Sequence, residues 1–413
     1  MSKPDVVPGS RASVWRRRLR RMALLVAILL AVFVLCEAAA RVWLKFLADP
    51  FEFYEYTNLP QKASRALEQN QFLAFHPLLV KAPKPGYECG ANRVNAHGFR
   101  GGEIVMPKPT GEYRLACLGG STTMDEEIDD WRETYPAVLE HELQERGYRV
   151  TVINAGVSGH ASYEVLINYA LRVSYMDVDM IVLYEGINDW MRRLAWPPDQ
   201  YTGDLSGNYS LVSYLAGSRP FLNAAGSSVF LRVALAQVGY HFPDYHVGLD
   251  EVFFPGNLFS EYFLQVFKGE YPSGIFAEVS VMEILRRNPP TYYEHNLGCL
   301  IALARHFGAD VTISTVTWSP EWNVENKPAA EGFVYGLQEM NTVTKRMGAE
   351  YGVPVLDLEN SMPSDPELWE DVIHNNARGA RVKASMYADF IVENGLIGDQ
   401  YRTVEKGERA QSP

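Results

Sequence analysis

Arg114-Leu115-Ala116-Cys117-Leu118-Gly119-Gly120-Ser121-Thr122-Thr123 is an apolar run of strand length that ends in two glycines and three hydroxyl residues. A short apolar run bounded by Gly-Gly predicts a buried strand followed by a tight turn. Working outward, Thr134 is placed to cap a helix whose Tyr135, Val138, Leu139 and Leu143 share one face, with Gly147 closing it. Val150 to Ile153 then reads as a second strand, Met180 to Tyr184 as a third, Val311 to Val316 as a fourth and Val353 to Leu356 as a fifth. Helical stretches fall at Ser162 to Val173, Tyr292 to Phe307, Gly332 to Ala349 and about Asn376 to Glu393. Short strands alternating with helices imply right-handed βαβ units, hence an α/β three-layer sandwich around a five-stranded parallel sheet. Ligands in such folds bind at the carboxyl ends of the strands.

The polar residues gather at those ends. Strand one is followed by Ser121, strand two by Asn154-Ala155-Gly156-Val157-Ser158-Gly159, and strand three by Glu185-Gly186-Ile187-Asn188-Asp189. Near the C-terminus, Asp371-Val372-Ile373-His374 precedes the last helix. Each block alone is ordinary turn or cap chemistry; their order at successive strand ends carries the argument. A serine hydroxyl needs a base within reach, for which His374 is the candidate, and Asp371 three residues earlier can orient that imidazole. The backbone N–H groups of Ser121 and Gly159 and the side-chain amide of Asn188 are candidate oxyanion-hole donors. Asp189 is expected to fix the Asn188 loop. His160 flanks Gly159 and is a candidate pocket residue, whereas the other histidines show no metal-ligand spacing. Trp190, Met191 and Trp318 follow strands three and four and read equally well as pocket walls or as core.

In these blocks the chain resembles the SGNH hydrolases, also called the GDSL esterase/lipase family. The matching positions are Ser121 in the nucleophile block, Gly159 in the glycine block, Gly186 and Asn188 in the G-x-N-D block, and Asp371 with His374 in the last. The resemblance covers roughly residues 113 to 398 and implies a flavodoxin-like fold and ester hydrolysis through an acyl-enzyme. It extends to a membrane-anchored bacterial subset in which a stretch like Asn95 to Gly101 precedes the nucleophile strand. The departure is Gly120, where the eponymous motif has Asp; this bears on substrate inferences only.

Of 413 residues, 47% are hydrophobic and 21% charged, which excludes a disordered chain and a polytopic membrane protein. The net charge of −12 argues against a nucleic-acid binder. That charge is divided: residues 1–21 hold seven basic groups against Asp5, while the remainder carries −18. Met22 to Ala40 follows, 19 residues broken only by Glu37, and at 1.5 Å per residue it is about 28 Å long, one hydrocarbon thickness. The flanking arginines place the N-terminus in the cytoplasm and the rest outside it, as a single-pass inner-membrane protein. A cleaved signal peptide, with Ala38-x-Ala40 as its processing site, is the competing reading. Either way the rest is exported.

The expected organisation is a basic tail (1–21), an anchor (22–44), an aromatic and Pro-rich juxtamembrane region (45–110), a hydrolase domain (111–398) and a polar tail (399–413). Within the domain, about 191–290 reads as an insertion forming a lid or cleft wall. Cys89, Cys117 and Cys299 lack zinc spacing, and the sequence does not choose a disulfide among them. No cofactor or metal is expected. The reading is an extracytoplasmic esterase acting on an acyl ester, such as O-acetyl, of a glycan or lipid; an O-acyltransferase acting on an exported polysaccharide and a non-catalytic glycan-binding or assembly protein are the alternatives.

Overall fold

The structure is a computed structural model that describes residues 11–48, 56, 72–76, 78–203, 227–238 and 258–403. The aromatic clusters at 51–54 and 240–246, most of that at 252–259, and the end of the polar tail lie outside the described residues.

Helix α1 (Arg11–Phe46) is followed by two antiparallel hairpins, β1 (Leu73–His76) with β2 (Val80–Pro83) and β3 (Glu88–Cys89) with β4 (Asn92–Arg93). Strand β5 (Tyr113–Gly119) leads into the single turn α2 (Ser121–Met124) and helix α3 (Tyr135–Glu145). Next come β6 (Val150–Asn154), α4 (Ser162–Leu171), β7 (Met180–Tyr184) and α5 (Ile187–Arg193). Helices α6 (Val229–Ala236), α7 (Phe259–Lys268), α8 (Val281–Arg287) and α9 (Thr291–His306) precede β8 (Asp310–Ser314). The chain ends through α10 (Glu331–Tyr351), β9 (Val355–Leu356) and α11 (Ala377–Glu393). Two compact units result: Met1–Arg65 with Ser210–Phe253, and Ala66–Tyr209 with Phe254–Pro413.

The second unit is the expected α/β sandwich. Its sheet has the order β6-β5-β7-β8-β9 with every pair parallel. Strands β5 and β7 are buried along their whole length, as central strands covered on both faces must be; β7 is a continuous apolar run, and β5 is one from Leu115 onward, its Arg114 paired with Glu112. Helices α3 and α11 pack together, as do α4, α9 and α10. The first crossover leaves β5 for β6 and the second returns past it to β7, so the order reverses between β5 and β7. That reversal opens the crevice at their carboxyl ends.

Local chemistry explains the elements. Thr134 starts α3 in extended conformation with Pro136 inside the first turn, and Tyr135, Leu139 and Leu143 at four-residue spacing go into the core. β9 is two residues shorter than expected because Pro354 has no N–H to give the ladder; its carbonyl still accepts from Ile313.

Within the stretch expected as an insertion, Leu194, Tyr262, Val266, Phe276, Val281, Ile284 and Leu285 pack into the core. Trp190 is core as well, fully buried with edge-to-face contacts to Phe259, Phe263 and Phe333. Truncating such a residue costs about 3–5 kcal/mol. All four cysteines are unpaired, with Cys117 wholly buried in β5.

Candidate active site

Ser121 is the first residue of α2, directly beyond the carboxyl end of β5. The strand must turn sharply to present it, and both glycines are there to permit close approach. At Gly119 the Tyr184 carbonyl and the Thr123 hydroxyl occupy the space of a side chain; at Gly120 the Asn188 amide nitrogen does. Gly156 is likewise pressed against the backbone of Met124, which brings the loop after β6 against the nucleophile turn.

His374 Nε2 lies 2.8 Å from Ser121 Oγ, and His374 Nδ1 lies 2.8 Å from Asp371 Oδ2. The other Asp371 oxygen accepts from the backbone N–H groups of Ile373 (2.8 Å) and His374 (2.7 Å), so the D-x-x-H turn is held by its own aspartate. The Ser319 N–H to Val372 carbonyl bond ties this turn to the segment after β8. All three residues singled out in sequence therefore meet at hydrogen-bond distance.

Burial alone would push the His374 pKa down, but the hydrogen bond and charge of Asp371, joined by Glu126 and Glu127, raise it above its ordinary value. Burial would conversely raise the Asp371 carboxyl, and its bonds to His374 and Ile373 bring it below the usual range. Each partner thus favours the charged form of the other. Glu126 comes within 4.0 Å of His374 Nε2. Glu127 is raised by burial and by Glu126, Asp371 and Glu370. Carboxylate oxygens of Glu127 and Asp371 and a ring nitrogen of His374 lie within 4.8 Å of one another. Both His374 nitrogens already face Ser121 and Asp371, so a cation there would compete with that arrangement.

Gly159 adopts a left-handed backbone, φ +73°, that favours glycine. Among the described residues, neither its N–H nor that of Ser121 has an intrachain acceptor; the latter is one of the orphan donors of a helix start. Asn188 Nδ2 donates to the His160 carbonyl at 2.7 Å, which orients the amide and leaves its second N–H. Asp189 accepts from the Ser162 N–H (2.9 Å) and hydroxyl (2.5 Å), fastening α5 to α4, which is the positioning role expected of it. Behind it, burial and the Asp189 charge push the Glu185 carboxyl well up. His160 is fully buried, and burial lowers its pKa to about 4. It contacts the Lys81 carbonyl at 3.2 Å instead of reaching the reacting groups.

Three supports were not identified in sequence. Lys383 of α11 is wholly buried; its ammonium donates to the Thr122 carbonyl at 2.9 Å, lies 3.5 Å from Asp125 and sits over the Tyr135 and Tyr184 rings. The one signal for it was a lysine on the apolar Ala380, Ala384 and Tyr387 face. Arg100 donates to the carbonyls of Met124 (2.9 Å), Asp125 (2.6 Å) and Ile128, bracing the loop that bears Glu126 and Glu127. The hairpin residue Lys81 brings its ammonium beside Gly159. A cavity of about 460 Å³ lies elsewhere, beside the edge strand β6 between Arg100 and Gln144, and includes none of the triad.

No family model matches the chain, and no curated protein does. Solved structures do. A lipase/acylhydrolase from Enterococcus faecalis is 15% identical, with 68% of this chain and 96% of that one covered and a TM-score of 0.38. A GDSL-like lipase from Bacteroides thetaiotaomicron is 14% identical over 71% and 93%, with a TM-score of 0.35. An acetyl-xylooligosaccharide esterase from Geobacillus is 16% identical over 68% and 94%, with a TM-score of 0.38. Similarity at this level transfers no activity, so the chemistry of this site stands on its own distances.

Proposed function

We propose that the chain is a membrane-tethered, extracytoplasmic serine esterase of the SGNH type that removes an acyl group, such as acetyl, from a glycan or lipid. The observation that carries this reading is the continuous relay from Ser121 Oγ through His374 to Asp371, both links 2.8 Å long.

In this mechanism Ser121 Oγ attacks the ester carbonyl carbon while its proton passes to His374 Nε2. Asp371 holds the imidazole with Nε2 toward the serine and stabilises the imidazolium. The carbonyl oxygen becomes an oxyanion facing the Ser121 and Gly159 N–H groups and the second amide N–H of Asn188. Collapse breaks the ester C–O bond, and the leaving alcohol takes the proton from Nε2. Water then attacks the acyl-enzyme with His374 again as base, releasing the acid and restoring Ser121. The six arginines that precede the apolar run at Met22, in the first turns of α1, and the −18 charge of residues 22–413 support an exported catalytic unit.

Full-length protein in detergent, supplied with p-nitrophenyl esters of increasing chain length, tests the reading. Turnover and fluorophosphonate labelling are expected, both lost in Ser121→Ala. Absence of both in the wild-type protein refutes it. Adding an oligosaccharide acceptor separates the outcomes further: acylated sugar in place of free acid identifies a transferase.

A further inference from the structure

The first compact unit contains a pairing that an anchor alone does not require. Glu37 is the sole charge in the apolar run Met22 to Ala40, and its side chain is only 16% exposed. Its carboxylate accepts from the Ser228 hydroxyl (2.7 Å) and from the N–H groups of Val229 (3.2 Å) and Phe230 (3.0 Å). These are the first donors of α6, so a residue of α1 caps a helix about 190 positions away. Arg41, paired with Glu37 at 2.6 Å, donates to the Ser227 carbonyl at 3.0 Å. Around this polar joint, Phe33 meets Phe230 edge to face at 5.9 Å, and Leu44 with Val229 forms a small buried cluster with Ala40, Trp43 and Val233. Phe33, Glu37, Ala40 and Leu44 are spaced along one face of α1. That face is covered by residues 227–238, while Leu24, Leu25, Val26, Leu29, Leu30 and Leu35 on the same helix stand open.

Position along α1 sets the level of this joint. Counting from Met22 at 1.5 Å per residue, Phe33 is about 17 Å and Glu37 about 22 Å into a hydrocarbon layer about 30 Å thick. Phe230 and the start of α6 then fall within the layer. The composition of α6 agrees: Val229–Ala236 is VFLRVALA, eight residues with Arg232 as the single charge. Arg232 is turned into the protein, 2% exposed, whereas Ala234 and Val238 face outward. At about 12 Å the helix is too short to cross, which is the form of a re-entrant or interfacial element. A helix start in lipid needs its N–H groups satisfied by protein, and Glu37 supplies that need. An ionised carboxylate within the apolar run in turn requires donors, and α6 and Arg41 supply them.

We propose that residues 227–238 form a second membrane-embedded element, seated on α1 through Glu37 and contacting the acyl chains of the outer leaflet. The proposal rests on the reading of α1 as a membrane helix. It carries a corollary, since cleavage after Ala40 would remove Phe33, Glu37 and Ala40: α1 is retained in the mature protein.

The test uses full-length protein in liposomes of phosphatidylethanolamine and phosphatidylglycerol, with the native cysteines replaced and single cysteines carrying a fluorophore at Leu29, Leu235, Val238 or Glu393. Leu29 reports the anchor, and Glu393 on α11 reports water. The Leu235 and Val238 labels are expected to be quenched by spin-labelled acyl chains and shielded from iodide as the Leu29 label is. Glu37→Ala is expected to restore iodide quenching at Val238 and leave Leu29 unchanged. If Leu29 is lipid-quenched while Leu235 and Val238 behave like Glu393, the second element is refuted and the anchor stands. If Leu29 itself is water-exposed, the anchor reading fails and the proposal with it. Quenching at Val238 that is unmoved by Glu37→Ala overturns the Glu37 joint, and a mature N-terminus at Arg41 overturns the whole.

Discussion

Gly120→Ala isolates one atom-level feature of the site. A methyl group there would fall well inside 3.0 Å of Asn188 Nδ2, closer than real Cβ atoms approach other groups, and 3.2 Å from the His160 carbonyl that this amide bonds. The residue itself has φ −85°, so alanine meets no left-handed penalty. The backbone is the less yielding partner, and Asn188 must swing away. It then gives up both its bond to His160 and its place facing the oxyanion. Loss of one oxyanion donor costs about 2.7–4 kcal/mol in the transition state, roughly 10²–10³ in kcat. Loss of the hydrogen bond and the overpacking together cost about 2–4 kcal/mol of stability. The decisive measurement is a double-mutant cycle on an activated ester. Asn188→Ala alone should match the kcat loss of Gly120→Ala, and the combined variant should fall little further, because both act through one amide. Full activity in Gly120→Ala would refute the reasoning, as would losses that multiply in the double variant. Gly120→Asp, which recreates the eponymous motif, is expected to be at least as damaging here.

Two further outcomes follow from the charges around the triad. His374 must be neutral to act as base, and its pKa is raised by Asp371, Glu126 and Glu127 against the effect of burial, so kcat/KM should rise with pH through a midpoint above 6.5. Replacing Glu126 and Glu127 by Gln removes two charges that favour the imidazolium and should move that limb to lower pH; a limb that stays in place contradicts the assignment. Lys383→Met leaves Asp125 buried beneath the nucleophile turn without its ammonium, which should cost about 3–5 kcal/mol in urea unfolding. Adding Asp125→Asn should recover much of it, and a Lys383→Met protein as stable as wild type would show that the pair is not coupled.

The sheet was legible because each strand carries its own signal: β7 and the Leu115–Leu118 stretch of β5 are apolar runs, and the glycines, hydroxyls and amides follow them within a few residues. The same locality made Asp371 and His374 readable, since a D-x-x-H turn is closed by its own aspartate. What was not legible is the set of contacts made across the fold. Nothing in GGSTT announces that Gly120 is shaped by an amide 68 positions later, or that the carbonyl of Thr122 is held by a lysine from α11. The packing of the insertion was not legible for a related reason. Its aromatic residues are those of an exposed cleft and of a core alike, and only packing decides; Phe259 and Phe263 pack on Trp190.

Those cross-fold contacts share a purpose. Ser121 and His374 lie 253 positions apart, and no local sequence can set a 2.8 Å distance between them. Lys383 can contribute, because it belongs to the helix that begins three residues after His374 and reaches back to the residue after Ser121. Arg100 acts on the same turn from the opposite end of the chain, gripping the carbonyls of Met124, Asp125 and Ile128. A side chain fixed at both ends loses rotamer freedom once, on folding, and not again at each turnover. On this argument the buried cations are why a nucleophile carried on a single turn of helix can be held to the geometry that catalysis needs.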